Sequence, residues 1–211
     1  MSAQPEQAPT RLTDNADLLA DAVRRLMEVA VRTQASPSEL LDAVDAVDRA
    51  TSLLDRDLRA GPWAPDRADP QSSPYNPVLG TGNPLAAPVT LTSRTAEGIG
   101  GTVRFGTAYE GAPGLVHGGV LAMVMDQVFG EAGVAAGVGG MTVGLEIRYA
   151  APTPIHTDLQ LTARVVESGE RKVLMEGSIS AGGTTTVTAT ATFFRLTEEH
   201  ARRLFPKMAR R

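Results

Sequence analysis

A histidine, two glycines and an aspartate form the group of residues best suited to chemistry in this chain. His117, Gly118 and Gly119 open an apolar segment, and Asp126 follows His117 by nine residues. Six consecutive apolar residues, 120–125, separate the glycines from the acid. A carboxylate buried without a partner costs free energy or takes up a proton. An acid at this place therefore indicates a function.

On a helix, Asp126 shares one face with four residues, three of which are small. These residues are Gly119, Ala122, Met123 and Gly130. The larger side chains fall on the other sides of the helix; they are Val120, Leu121, Val124, Met125 and Val128. The carboxylate is therefore expected to overlook a strip along which a ligand can lie.

The start of this helix offers a second chemical group. The first N–H groups of a helix have no partner within it and point outward at the positive end of the dipole. Gly118 and Gly119 leave these donors sterically open. Such donors stabilise a carbonyl oxygen that becomes negative during acyl transfer, while a carboxylate can activate water or attack the carbonyl. The residues alone also permit a plain turn followed by a solvated aspartate.

Strand patterns on both sides of the helix predict the fold that positions it. Two segments of β character precede the helix, at 89–95 and 100–105, and four follow it, at 142–149, 159–167, 172–180 and 185–196. Gly-containing turns at 168–170 and 181–183 join the later strands as hairpins. The pattern predicts an α+β fold in which an antiparallel sheet wraps around one long central helix.

The first 61 residues have a different, helical pattern. Apolar residues at helical spacing predict two helices within 13–60, forming a hairpin after a loose tail. Ser36, Pro37 and Glu39 form a capping box at the start of the second helix, which is expected to end near Gly61. The hairpin is too small to bury much surface alone, so it should pack on the remaining domain or on a partner chain.

Three segments are therefore expected: residues 1–61, a connector at 62–88, and a domain at 89–211. The connector holds seven prolines, which block helix and central strand. Four apolar side chains in it are candidates for contact with the domain: Trp63, Tyr75, Val78 and Leu79. A short helix is expected within 197–211.

Composition excludes several classes of protein. Of 211 residues, 42% are apolar, the net charge is −4 and cysteine is absent. A nucleic-acid binder with a basic field, a thiolate zinc site and a cysteine nucleophile are not expected. No stretch of about 18 apolar residues exists, and the N-terminus has no signal-peptide core. We expect a cytoplasmic protein without a membrane or nucleic-acid partner.

The sequence resembles the hotdog-fold acyl-CoA thioesterases, in the HGG-bearing branch related to phenylacetyl-CoA and long-chain acyl-CoA thioesterases. The matching segments are GAPGLVHGGVLAMVMDQVFG, MTVGLEIRYAAPTPI and ESGERKVLMEGSI, within residues 80–196. The resemblance implies a hotdog fold, hydrolysis of acyl-CoA to a free acid and CoA, and a role in fatty acid metabolism. It implies a homodimer or a dimer of dimers with shared active sites, and no metal or redox cofactor.

The resemblance also assigns roles to residues. Gly118 would donate its N–H to the thioester carbonyl, and His117 would orient that turn or assist polarisation. Asp126 would be the nucleophile or general base, and Thr142 would hold the water. Asp126 and Gly118 of one site would come from different chains. Some relatives carry an asparagine six residues before the histidine as a second carbonyl donor, where this chain has Gly111.

Candidate substrate-binding residues complete the set. Gly119 lies on the ligand strip, and coenzyme A phosphates call for basic groups such as Arg171, Lys172 and Arg148. Strand alternation predicts that Thr142 and Arg148 lie on the same, non-core face. Two other histidines, His156 and His200, lack zinc-type spacing and are expected at the surface.

Two other functions remain open on the same residues. One is an enoyl-CoA hydratase or dehydratase on the same fold, and the other is an acyl-CoA binding protein without hydrolysis.

Overall fold

The computed structural model describes residues 12–60, 74–87, 89–195 and 203. The helices are α1 (Leu12–Ala30), α2 (Pro37–Leu54) and α3 (Gly118–Ala135), with a 3-10 turn at Thr107–Tyr109. The strands are β1 (Thr90–Thr95), β2 (Gly98–Arg104), β3 (Gly140–Tyr149), β4 (Asp158–Ser168), β5 (Lys172–Ala181) and β6 (Thr184–Arg195). Some predictions fall outside the described residues. These are the short helix after residue 196, of which only Arg203 is described, the contact of Trp63 with the domain and the surface position of His200.

The six strands form one antiparallel sheet in the order β1-β2-β4-β5-β6-β3. The sheet curves around α3, which contacts every strand. The predicted hotdog architecture is therefore confirmed. The two-residue turn between β5 and β6 uses Gly182 and Gly183 at positive φ, the type of hairpin turn whose twist matches the flanking strands.

The core lies between α3 and the concave face of the sheet. Seven residues of α3 are buried: Leu121, Val124, Met125, Val128, Phe129, Ala132 and Gly133. They meet sheet residues such as Leu159, Leu161, Met175 and Ile179, all fully buried. The predicted strip of α3 stays at least partly exposed, whereas Leu121, Val124, Met125 and Val128 are buried as predicted.

A β-bulge near the start of β3 changes which residues face the helix. Thr142 pairs with Phe193, which is buried, but the register shifts before Gly144 pairs with Thr192. The extra residue reverses the alternation once. Thr142 therefore faces α3, whereas Arg148 lies on the outer face. The prediction that these two side chains share a face is wrong, because simple alternation assumes a strand without a bulge.

α1 packs on the domain, and side chains of α1 form hydrogen bonds with backbone atoms of the domain. Arg24 donates from Nη1 to the carbonyl oxygen of Asn83 at 2.7 Å and from Nη2 to that of Thr81 at 3.0 Å. Glu28 accepts the N–H of Ala108 at 3.2 Å, in the 3-10 turn. Burial raises the pKa of the Glu28 carboxyl, but hydrogen bonds from Thr107, Ala108 and Arg32 together hold it below its usual value.

The predicted capping box of α2 is confirmed, since Ser36 and Glu39 bond to each other's backbone N–H. α2 ends at Leu54, earlier than predicted. Thr51 and Ser52 bond back to the carbonyls of Val47 and Asp48, and Asp55 opposes the negative end of the helix dipole.

Both predicted N-terminal helices are present. α1 and α2 are consecutive but do not pack closely on one another, and no residue of α2 is buried.

The described part of the connector, 74–87, lies on the domain. Val78 is fully buried and Leu79 packs against the core, as predicted, while Tyr75 is exposed. Asn76 donates to Gln127 of α3 at 2.9 Å and accepts the N–H groups of Val78 and Leu79. No helix in the described ranges is long and apolar enough to cross a membrane.

Candidate active site

Asp126 and Thr142 meet on the exposed strip of α3. The Thr142 hydroxyl donates to Oδ1 of Asp126 at 2.7 Å. Asp126 is half-buried, so one carboxylate oxygen has a fixed partner and the side chain remains accessible. The bulge of β3 is what turns Thr142 toward this acid. The structure thus brings together two of the predicted catalytic residues within one chain.

At the start of α3, most of the first N–H groups already have acceptors. The Gly119 N–H donates to Nδ1 of His117 at 3.0 Å. The N–H groups of Val120 and Leu121 donate to the His117 carbonyl at 3.0 and 3.3 Å. Among the described residues, no acceptor is assigned to the Gly118 N–H. The donor predicted for the thioester carbonyl is therefore the one that the first turn leaves open.

The side chain of His117 has a defined hydrogen-bonding state. Because Nδ1 accepts the Gly119 N–H, the proton of the neutral ring lies on Nε2. His117 is exposed and is the N-cap of α3, with φ −60° and ψ 132°. Because His117 is exposed, its Nε2–H is a candidate for a second donor at the helix start.

Gly111 packs directly against His117 and leaves no space for a side chain at position 111. A Cβ at Gly111 would lie 2.8 Å from Cα and 3.2 Å from Cδ2 of His117. The N–H of His117 is fixed by the carbonyl of Tyr109, at 2.9 Å, at the end of the 3-10 turn that Glu28 contacts. α1 therefore reaches the helix start indirectly, through this turn.

Tyr149 is a site residue that the sequence interpretation missed. Its hydroxyl donates to the Gly118 carbonyl at 2.8 Å, and its ring lies 3.1 Å from where a Gly118 Cβ would be. The sequence identified Tyr149 only as the end of a strand; nothing in it indicated contact with a helix 31 residues away. Tyr149 fixes the first turn of α3 and explains why Gly118 needs to be small.

For the thioester hydrolysis that the sequence resemblance implies, we expect Tyr149→Phe to lower kcat about fivefold with little change in KM, because one neutral hydrogen bond is worth about 1 kcal/mol. Steady-state thiol release measures this. Tyr75→Phe is the matched control, since Tyr75 is exposed and its ring contacts Arg59 rather than α3. Equal kcat for Tyr149→Phe and the unmodified protein would contradict the positioning role.

Asp126 and the Gly118 N–H of one chain are too far apart to act on one carbonyl. They are separated by eight residues of continuous helix, which corresponds to about 12 Å along the axis. Thr142 and Tyr149 lie near opposite ends of β3. The predicted catalytic residues of one chain thus form two separate groups, or half-sites: Asp126 with Thr142, and His117 with Gly118.

The predicted substrate-binding residues fall in three places. Gly119 is exposed at the helix start. Arg171 and Lys172 are exposed at the β4–β5 turn. Lys172 pairs with Phe194 of β6. Phe194 in turn pairs with Met141 of β3, the neighbour of Thr142. They lie at the Thr142 end of the sheet, two strand spacings from β3, or about 10 Å. Arg148 lies on the outer face with Glu146 and Arg164, in a separate groove.

These half-sites are found in a segment with known relatives. Residues 113–188 match the family model of the thioesterase superfamily. The chain is also similar to a solved structure of a thioesterase superfamily protein, with a TM-score of 0.78 and 29% identity, covering 92% of this chain and 94% of that one. A match of this extent includes residues N-terminal to the sheet as well as the hotdog domain.

Two curated relatives match a shorter region. Acyl-coenzyme A thioesterase THEM4 of Mus musculus is 31% identical over 96 residues, which cover 44% of this chain and 41% of the relative. Acyl-coenzyme A thioesterase THEM5 of Homo sapiens is 33% identical over 70 residues, covering 33% of this chain and 28% of the relative. The matches thus span less than half the length of these relatives.

Proposed function

We propose that this protein is an acyl-CoA thioesterase of the HGG-bearing branch, which hydrolyses acyl-CoA to a free acid and CoA. The observation that carries the proposal is the half-buried carboxylate of Asp126, fixed by Thr142 on an accessible strip of α3. The match to the thioesterase superfamily and the similarity to proteins named acyl-coenzyme A thioesterases support it.

The active site is shared between two chains of a homodimer. β3 is the last strand of the sheet, and its outer edge has no strand beside it among the described residues. Apolar side chains are exposed along this edge, including Met141 and Val143. Antiparallel pairing of two β3 strands would bring Asp126 and Thr142 of one chain toward Gly118 of the partner subunit. A dimer of dimers would contain the same pair.

In this site, the helix start polarises the substrate. The Gly118 N–H and the His117 Nε2–H donate to the thioester oxygen, whose charge grows as the carbonyl carbon becomes tetrahedral. His117 thereby acts as the second donor, in place of the asparagine that some relatives carry at the position of Gly111. A side chain at position 111 would collide with His117 in this chain. Two donors remain, and both lie at the start of the helix.

Asp126 supplies the second half of the reaction. It takes a proton from a water molecule that the Thr142 hydroxyl holds, or attacks the carbonyl carbon itself. On the general-base route, the hydroxide adds to the carbonyl carbon, the C–S bond breaks, the sulfur takes the proton held by Asp126, and the acyl group leaves as the acid. On the nucleophilic route, the C–S bond breaks to leave an acyl–Asp126 anhydride; water then hydrolyses this anhydride, which restores the Asp126 carboxylate, releases the acid and supplies the proton of the thiol. The chemistry requires no metal or redox cofactor.

Coenzyme A phosphates would be bound by Arg171 and Lys172, which lie at the Thr142 end of the sheet. Lys172 and Arg148 both lie on the outer face of the sheet, but Arg148 is near the Tyr149 end of β3, away from Thr142, so it is not proposed as a ligand beside Arg171 and Lys172. We place the reaction in the cytoplasm, in fatty acid metabolism.

The test is a thiol-release assay over acyl-CoAs from acetyl to palmitoyl, together with phenylacetyl-CoA and a benzoyl-CoA. We expect hydrolysis of at least one of them, and the preferred acyl group identifies the substrate class. Hydration of an enoyl-CoA without thiol release would instead indicate a hydratase. Tight acyl-CoA binding without any turnover across this panel would indicate a binding protein.

A further inference from the structure

A carboxylate of α1 caps the 3-10 turn at Thr107–Tyr109. The N-cap residue of this turn is Gly106, which makes no side-chain cap hydrogen bond. Glu28 supplies the acceptor instead: it accepts the N–H of Ala108 at 3.2 Å, and Thr107 bonds to the same carboxylate through its N–H and its hydroxyl. A Cβ at Gly106 would lie 2.5 Å from Oε2 of Glu28, so the glycine leaves the space that the carboxylate occupies. The first N–H groups of a helical turn need acceptors, and here α1 provides them.

The same turn fixes the backbone of His117. The carbonyl of Tyr109, the last residue of the turn, accepts the His117 N–H at 2.9 Å. The intervening loop folds back on the turn, because Glu110 and Val116 form a β-bridge. The Tyr109 hydroxyl donates to the carbonyl of Leu85 at 3.0 Å, which holds the turn on its other side. A displacement of the turn therefore displaces the residue that begins α3.

Other contacts hold α1 on the domain independently of Glu28. Ala20 of α1 is fully buried. Asp17 accepts the Thr81 hydroxyl at 2.8 Å, and Arg24 donates to the carbonyl of Asn83 at 2.7 Å. Removal of the Glu28 side chain should therefore leave α1 in place and free only the turn.

We propose that Glu28 is a positioning residue of the active site, which holds His117 at the start of α3 by capping the 3-10 turn. The inference rests on the proposed function, in which the His117 Nε2–H donates to the thioester oxygen. A donor stabilises the transition state when it is held in place before the reaction, so a looser His117 lowers kcat more than it raises KM. Glu28 lies outside the residues that match the thioesterase superfamily, 113–188, so α1 adds a residue to the site from beyond that segment.

Amide hydrogen exchange, followed by NMR, measures the hold on His117 without any substrate. In Glu28→Ala, we expect the His117 N–H to exchange about fivefold faster than in the unmodified protein, the effect of losing a helix cap. The N–H of Val116 is the internal control, since it donates to the carbonyl of Thr153 at 2.9 Å and not to the turn. Unchanged exchange at His117, or an equal increase at Val116, would overturn the proposal.

Thiol release measures the consequence for the reaction. Glu28→Ala should lower kcat about fivefold at nearly constant KM, and Glu28→Gln should recover much of this loss, because its amide oxygen can still accept the Ala108 N–H. Asp17→Ala is the matched control: it removes another carboxylate through which α1 contacts the domain, at Thr81, and should keep the native kcat.

The two measurements separate this inference from the proposed function. Faster exchange at His117 with unchanged kcat in Glu28→Ala would overturn the positioning role, and so would an equal loss of kcat in Asp17→Ala. Absence of hydrolysis by the unmodified protein would instead overturn the proposed function itself, and the exchange result alone would then show whether Glu28 holds His117.

Discussion

Replacing Asp126 by asparagine is expected to lower kcat for acyl-CoA hydrolysis roughly a thousandfold, within the range that general acid–base catalysis contributes. Asparagine has nearly the same shape and can still accept the Thr142 hydroxyl, which lies 2.7 Å from Oδ1 in the native protein. The negative charge is lost, and with it the ability to take a proton or attack a carbonyl. Thiol release and calorimetric binding of acyl-CoA measure the two properties separately.

Binding is the control for the Asp126→Asn variant. We expect acyl-CoA to bind with nearly native affinity, because the amides at the helix start and the basic residues at the β4–β5 turn are unchanged. Near-normal turnover in this variant would remove Asp126 from the chemistry. Unchanged binding together with lost turnover would also distinguish an enzyme from a binding protein, in which this substitution should have no measurable effect.

Replacing Gly118 by proline is expected to lower kcat about a hundredfold, because it deletes the one open N–H at the start of α3. The backbone tolerates proline at this position. Gly118 is the first helical residue, where proline fits, and His117 has ψ 132°, the extended conformation that a residue before proline adopts. The helix should therefore persist without the donor. Thiol release gives the rate, and circular dichroism verifies the fold.

Gly118→Ala is the matched control for the proline variant. Alanine adds the same Cβ, which would lie 3.1 Å from the Tyr149 ring, but it keeps the N–H. We expect a loss of about tenfold, caused by displacement of Tyr149 and of its hydrogen bond. Equal rates for the alanine and proline variants would show that crowding, rather than the lost donor, reduces activity.

Much of the fold could be predicted because its signals are local. The capping box at Ser36 and Glu39, the glycine turn at 182–183 and the apolar sides of α3 each follow from neighbouring residues. The length of α2 was overestimated, because its apolar stripe continues beyond the point where Thr51, Ser52 and Asp55 stop favouring a helix.

The contacts of the site depend on tertiary structure and were only partly accessible from the sequence. Asp126 and the glycines are visible as a pattern on one helix. The bulge that turns Thr142 toward Asp126 has no clear signal in the sequence of β3, so alternation put Thr142 on the wrong face. Tyr149 reaches Gly118 only because the sheet curves around α3.

Mixing of inactive chains tests the shared site most directly. Chains carrying Asp126→Asn and chains carrying Gly118→Pro, combined in equal amounts, form mixed dimers in which one site has both defects and the other has none. Random mixing should therefore restore about a quarter of the native activity. As a control, Asp126→Asn mixed with Thr142→Ala should restore none, because both residues belong to the same half-site. If mixed Asp126→Asn and Gly118→Pro dimers form and remain inactive, the site is not shared between chains.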